Sequence, residues 1–292
     1  MYNLLSLFTG IIIAIMVAIN GQLSAEHGVF TSTVIIHIVG TVFAAIVILL
    51  SRKKFIWKSN CPAWAYLGGV IGVLTTVFNN FACGKISITS IVALGLLGQT
   101  VTALLFDYFG ILGTKKQTFN PSSLIGLLFA AAGIFIMFDT SSGVVVYAIV
   151  LSICAGITIV LSRNVNAVLA NEIGALQGSF VNHVVGLPLS ILFLLIMGRG
   201  ELGSSFAVNT ASLWIYIGGA FGVLLVMLYN IIVPKVPAFY VTLLTFVGQV
   251  FMGLLIDILL DNGYSGKTIW GGILVSARVG VNMLLDYFRK RK

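Results

Sequence analysis

The sequence predicts an all-α integral membrane protein of ten transmembrane helices, arranged as two five-helix repeats of opposite orientation. Three observations carry this: the composition, a succession of long apolar stretches, and a repeat of polar and glycine residues at a nearly fixed interval. Of 292 residues, 59% are hydrophobic and only 8% charged, where a soluble domain has about 25% charged. A water-facing surface cannot be made from so few charges. The repeat divides the chain into a first unit over 1–140 and a second, inverted unit over 141–292.

A helix needs about 20 apolar residues to cross the hydrocarbon core, and ten stretches qualify. The first, 3–23, lacks a basic segment before it and a small-residue cleavage site after it, so it reads as a span and not as a signal peptide. The second, 29–50, stops at Arg52-Lys53-Lys54, and the third, 62–83, opens with Trp64 and Tyr66, aromatic residues suited to the membrane–water boundary. The fourth, 88–108, carries Gln99 near its middle and closes at Asp107, and the fifth, 122–138, follows Lys115-Lys116. The sixth, 144–162, stops at Arg163, and the seventh, 175–198, contains His183. The eighth, 212–233, again opens with a Trp and a Tyr, Trp214 and Tyr216. The ninth, 238–260, carries Gln249 and closes at Asp257, and the tenth, 268–288, contains Arg278 and leads into a basic tail from Arg289. The 32 glycines agree with this, because small residues let helices approach closely in lipid.

Basic residues mark the cytoplasmic connectors. With the N-terminus inside, the cytoplasmic connectors and tail hold twelve of the sixteen Lys and Arg, Arg163 and Lys235 among them. The opposite side receives Lys85, Arg199 and Lys267, so both termini are expected in the cytoplasm. The net charge of +8 is thus a topology signal. The lipid bilayer is the expected partner, and nucleic acid is not. Cys61, Cys83 and Cys154 lack metal-ligand spacing, and neither a metal nor a cofactor is expected. No nucleophile elbow, zinc motif or P-loop occurs, so the sequence predicts neither an enzyme nor a pump driven by its own ATPase.

Internal self-similarity is the most informative feature. Asn20, Glu26, Gly28, His37 and Gly40 recur as Asn166, Glu172, Gly174, His183 and Gly186, a shift of 146. Trp64, Gly68, Gly69, Gly72, Asn80, Gly98, Gln99 and Asp107 recur as Trp214, Gly218, Gly219, Gly222, Asn230, Gly248, Gln249 and Asp257, a shift of 150. Five spans per unit is an odd number, so the second copy must enter the membrane from the other side. Inverted repeats are common in secondary transporters, which expose a midplane site alternately to each side.

The residues Ala18-Ile19-Asn20-Gly21, Trp64 with Gly68-Gly69 and Gly72, Gly98-Gln99, and Asp107 before Phe109-Gly110 resemble the five-helix YdcZ-type unit, domain of unknown function 606, of the drug/metabolite transporter superfamily. The resemblance covers nearly the whole chain, once per half. The second half departs from it at Ala167, at Pro234 and Pro237 around Lys235, and at Asp261-Asn262-Gly263. Resemblance implies the ten-helix transporter fold of that superfamily, with a central cavity lined mainly by the first, third and fourth helices of each half. It also implies solute movement, outward in direction, across a bacterial cytoplasmic (inner) membrane.

Gln99 and Gln249 are the first candidates for contact with the solute, since a buried carboxamide has donors and acceptors to satisfy. A neighbouring helix satisfies them equally well. Asn20 and Asn166, with Asn80 and Asn230, are candidates for the cavity wall or for helix caps. His37 and His183 lie about eight residues into their stretches, where histidine suits proton coupling or a neutral bond to another helix. Glu26 and Glu172 fall in short connectors, as gates or caps, and Asp107 and Asp257 lie near water with no need of a buried partner. Arg278 is an intramembrane cation, which costs about 2.5–3.5 kcal/mol at a helix centre, and a structural role is favoured for it.

The leading expectation is a secondary transporter moving a small polar or amphipathic solute by alternating access, with H+ or Na+ as a coupling ion and a homodimer as an open option. Efflux of lipophilic cations is a rival, weakened because no carboxylate lies at the bilayer centre. A non-transporting membrane subunit or sensor is the other.

Overall fold

The computed structural model describes residues 1–52, 55–56, 60–113, 116, 144–201 and 210–259. Among these residues eight long helices form: α1 (Tyr2–His27), α2 (Val29–Ser51), α3 (Gly68–Ala82), α4 (Ile88–Phe109), α5 (Val144–Ile173), α6 (Ala175–Ile196), α7 (Gly218–Ile232) and α8 (Ala238–Leu259). Short 3-10 segments, Ala63–Leu67 and Thr210–Ile217, lead into α3 and α7. Together with these leads, all eight are long and apolar enough to cross a membrane. The fifth and tenth stretches, and Arg278 with the tenth, lie outside the described residues.

One expected boundary is corrected. The sixth stretch does not end at 162; α5 continues to Ile173, carrying Arg163, Asn164 and Asn166 as buried residues of the helix. Arg163 is therefore not a connector residue. Polar side chains lower local hydropathy and imitate the end of a span, yet a helix enclosed by other helices retains them where they find partners.

Gly28 alone joins α1 to α2, at φ 84°, and Gly174 alone joins α5 to α6, at φ 88°. A side chain is strained in that region, so glycine permits the one-residue turn. The tight links place Glu26 and Glu172 in the last turns of α1 and α5, both exposed, and not in connectors as expected. Large apolar side chains form exposed stripes, such as Val42, Ile46 and Leu49 on α2 and Phe251, Leu255 and Leu259 on α8. Such bands are untenable against water and suit lipid. Trp64 and Trp214 are exposed at the entries to α3 and α7, as an interfacial belt requires.

The tightest packing joins the two halves of the chain. A Cβ on Gly98 would overlap the carbonyl of Ile153, and one on Gly248 the carbonyl of Leu7. Symmetrically, Gly68 receives the side chain of Asn166 and Gly218 that of Asn20. Each glycine socket accepts a helix of the other half, where backbones close enough for dispersion and weak Cα–H···O contacts replace a hydrophobic drive.

A pair of aspartates completes this seam. Asp257, at the end of α8, accepts hydrogen bonds from the Ile88 and Thr89 amides at 3.1 and 2.9 Å and from the Thr89 hydroxyl at 2.6 Å. Reciprocally, Asp107 at the end of α4 accepts from the Ala238 and Phe239 amides at 3.1 and 2.9 Å. Each carboxylate meets the positive end of the other helix, where free amides and the macrodipole favour an anion. Both are buried, so the expectation of water-exposed aspartates without buried partners is corrected. The arrangement requires α4 and α8 to run antiparallel. α2 and α6 do likewise, since Gly40 faces His183 while Gly186 faces His37.

Candidate solute-binding site

A central cavity of about 100 Å³ lies between the two halves. Its walls come from α1, α2 and α3 and from their equivalents α5, α6 and α7. No residue of α4 or α8 is among them, and α2 and α6 contribute His37 and His183. In this cavity the second helix of each half therefore stands where the fourth was expected; the ends of α4 and α8 border only the flanking cavities, through Ile88, Asp107 and Ala238.

The histidine rings stand 5.8 Å apart at their centroids, tilted by 48°, both buried. Nδ1 of His37 lies 2.8 Å from the Thr33 carbonyl and Nδ1 of His183 lies 2.9 Å from the Ser179 carbonyl. A carbonyl only accepts, so Nδ1 carries the proton in both rings and Nε2 is left to accept another. Nε2 of His183 comes 3.1 Å from where a Cβ of Gly222 would stand.

Asn20, Asn166 and Asn230 also line the cavity. Asn166 donates from Nδ2 to Asn182 Oδ1 at 2.8 Å and to Ser162 Oγ at 3.2 Å, and Asn230 donates to the Ala175 carbonyl at 3.0 Å. Oδ1 of Asn20 and of Asn230 find no hydrogen-bond partner among the described residues. Asn80 is elsewhere: it donates to Ser32 at 3.2 Å and borders a separate cavity. Gln99 and Gln249 are buried but do not line the central cavity. They lie on the α4 and α8 seam, where the backbone nitrogen of Gln99 abuts Gly156 and that of Gln249 abuts Gly10, each from the other half, and Gln99 Oε1 and Gln249 Nε2 find no partner among the described residues. Glu26 and Glu172 are on the surface and away from the cavity.

Among the lining residues not singled out in the sequence, which include Thr75, Thr76, Ser162 and Asn182, Arg163 and Tyr229 carry the most chemistry. Arg163 is 2% exposed, donates from Nη2 to the Ala238 carbonyl at 3.0 Å and the Thr242 hydroxyl at 2.7 Å, and leaves Nε and Nη1 without hydrogen-bond partners among the described residues. Its guanidinium carbon lies 5.4 Å from the ring centroid of Tyr229, within cation–π range. The Tyr229 hydroxyl is near Arg163 and Thr245 but meets neither in hydrogen-bonding geometry. Helical spacing was the available signal: Ile159, Ser162, Arg163 and Asn166 share one face of α5.

Two further cavities flank the centre at opposite ends of the antiparallel α4 and α8. One, of about 660 Å³, is lined by Gly21, Gln22 and Ala25 of α1 and by the α3–α4 link from Cys83 to Ser87. The other, of about 210 Å³, is lined by Ala167, Val168 and Asn171 of α5 and by the α7–α8 link from Val233 to Pro237. These two sets interconvert under the same shifts of 146 and 150. Burial pushes the Cys83 thiol up to about 11, so it remains a thiol at neutral pH.

The sequence matches the family model described as "Putative inner membrane exporter, YdcZ" over residues 1–136 and 147–285. No curated protein matches the chain. Among solved structures, 26 chains are similar. One of them, a crystal structure described only as that of a protein, is 16% identical with a TM-score of 0.65 over 97% of this chain and 96% of its own. That likeness speaks for the fold alone.

Proposed function

The chain belongs to the YdcZ family of inner-membrane exporters, and we propose that it is a secondary transporter carrying a small solute outward by alternating access through the central cavity. The carrying observation is the pair of symmetry-related vestibules, about 660 and 210 Å³, on either side of one buried cavity. Two halves of like sequence in two different conformations make one vestibule wide and the other narrow; exchanging the conformations exchanges the openings. Ten helices in two inverted five-helix units, divided near residue 140, are the architecture this reading requires. The N-terminus is assigned to the cytoplasm, which turns the wide vestibule outward.

The His37–His183 pair is the candidate for proton coupling. Two unit charges 5.8 Å apart repel by about 3 kcal/mol at an effective dielectric of 20, so the pair accepts one proton at a time. Lipophilic-cation efflux is the weaker reading, because no Asp or Glu is among the described residues lining the central cavity, and Asp107 beside the narrower vestibule is taken up by the Ala238 and Phe239 amides.

Membrane-impermeant maleimide labelling tests alternating access. In a background lacking the native cysteines, Gln22→Cys reports the wide vestibule and Val168→Cys, its equivalent, the narrow one. A transported solute should raise one labelling rate and lower the other. Rates that move together, or remain fixed with every solute that the reconstituted protein carries, would count against the mechanism.

A further inference from the structure

We propose that the central cavity binds a small organic anion, its carboxylate held by the unpartnered Nε and Nη1 donors of Arg163 and its short apolar portion by the facing walls. This inference names the class of solute and rests on the transport reading above. Arg163 supplies the one formal charge among the described residues lining the cavity, since the two histidines are neutral when Nδ1 alone is protonated. Nη2 is occupied by Ala238 and Thr242, which fixes the guanidinium plane, while Nε and Nη1 make no hydrogen bond among the described residues. Asp107 lies close enough to act on this charge, but its two oxygens are taken by the Ala238 and Phe239 amides. Leaving a buried cationic donor unsatisfied is unfavourable, and a carboxylate supplies charge and acceptors together.

Size and lining narrow the class. About 100 Å³ is less than the roughly 150 Å³ that takes a benzene ring, so this conformation suits a solute of a few heavy atoms. Met16, Ile36, Ile159, Leu225 and Val226 face the same space. A bare inorganic oxyanion would gain nothing from those walls, whereas a short-chain carboxylate fits both ends. In the first half the position equivalent to Arg163 is Val17 (163 minus 146). The cavity is thus polarised, with a single anion-binding end.

The test uses purified full-length protein and three near-isosteric probes: propionate, propionamide and propylammonium. Binding is read by thermal stabilisation, and movement by counterflow in proteoliposomes. Propionate is expected to bind at least about tenfold more tightly than the other two. Arg163→Gln should reduce that preference to within about twofold, while Arg163→Lys, which keeps the charge, should retain part of it. A wild-type protein that binds propylammonium or propionamide as well as propionate overturns the anion assignment but leaves transport standing. So does an Arg163→Gln protein that folds and keeps the preference. If Arg163→Gln does not fold, the wild-type ranking and the lysine variant decide. If none of these probes, nor a wider panel including lactate, succinate, inorganic phosphate and neutral and cationic metabolites, binds or moves, the transport reading falls with it.

Discussion

Asp257→Ala should destabilise the protein more than any other single polar substitution on the α4–α8 seam. The carboxylate accepts three hydrogen bonds at 2.6 to 3.1 Å and is 0% exposed. Truncation leaves two amides and a hydroxyl without acceptors in a buried site. At about 1–3 kcal/mol for each unsatisfied buried group, with relaxation reducing the sum, the loss is about 3–6 kcal/mol. Asp257→Asn keeps one acceptor and turns an N–H toward the other donors, for a loss of about 1–3 kcal/mol. Asp107 lies at the far end of α4, roughly 28 Å from Ile88 at 1.5 Å per residue. At that separation the losses at Asp107 and Asp257 should add. Unfolding by SDS titration in mixed micelles measures wild type, Asp257→Ala, Asp257→Asn, Asp107→Asn and the double asparagine variant. An Asp257→Ala protein within about 1 kcal/mol of wild type would refute the reasoning, because a solvated carboxylate would be the only remaining account.

Three other outcomes follow from the same contacts. Gly98→Ala and Gly248→Ala should each cost about 1–3 kcal/mol, since the added methyl overlaps a backbone carbonyl of the other half. Gly72→Ala, whose nearest atom is 3.6 Å away, should leave micellar stability within about 0.5 kcal/mol; equal losses at all three would sink the socket account. Glu26→Gln and Glu172→Gln should leave flux within about twofold, as both residues are exposed at helix ends, and a complete loss would revive the cation reading. The double variant His37→Gln/His183→Gln should remove solute-driven acidification in dye-loaded proteoliposomes, and undiminished proton movement would clear the pair of a coupling role.

Much of the fold was legible because burial in a membrane writes itself into long apolar runs, and because duplicated residues survive as spaced pairs. His37 with His183 and Asn20 with Asn166 were found that way; the histidines meet each other across the halves, and each asparagine meets a glycine of the other half, Asn20 at Gly218 and Asn166 at Gly68. Asp107 and Asp257 were found but misplaced. Their partners are amides 131 and 169 residues away in sequence, brought near only by antiparallel packing, so nothing local marks them as buried. Gln99 and Gln249 illustrate the converse. Central position and a preceding glycine suit a ligand contact and a helix seam equally, and only the packing of α4 and α8 distinguishes them. Arg163 was lost because a charge beside Ser162 and Asn164 looks like a connector when hydropathy is averaged along the chain.

Symmetry also says where control of the conformational equilibrium can reside. Contacts present twice, such as the glycine sockets and the amide bonds of the aspartate caps, persist with roles exchanged when the two halves exchange conformations, so they cannot favour one state over the other; the Thr89 hydroxyl bond to Asp257, with Phe239 at the equivalent position, is not among them. Unduplicated contacts can. Arg163 ties α5 to Ala238 and Thr242 at the start of α8, beside the narrower vestibule, and Val17 offers no such tie at the other end. A buried charge-assisted hydrogen bond contributes about 1.5–3 kcal/mol, enough to shift a two-state ratio by tenfold or more. The empty protein should therefore rest with the α5–α8 end narrow. Arg163→Gln should raise the labelling of Val168→Cys relative to Gln22→Cys several-fold without solute. An unchanged ratio in a folded Arg163→Gln protein would mean that the tie contributes equally to both states, and that the unequal vestibules arise from some other departure between the halves, such as Pro234 and Pro237 in the α7–α8 link, where the first half has Gly84 and Ser87.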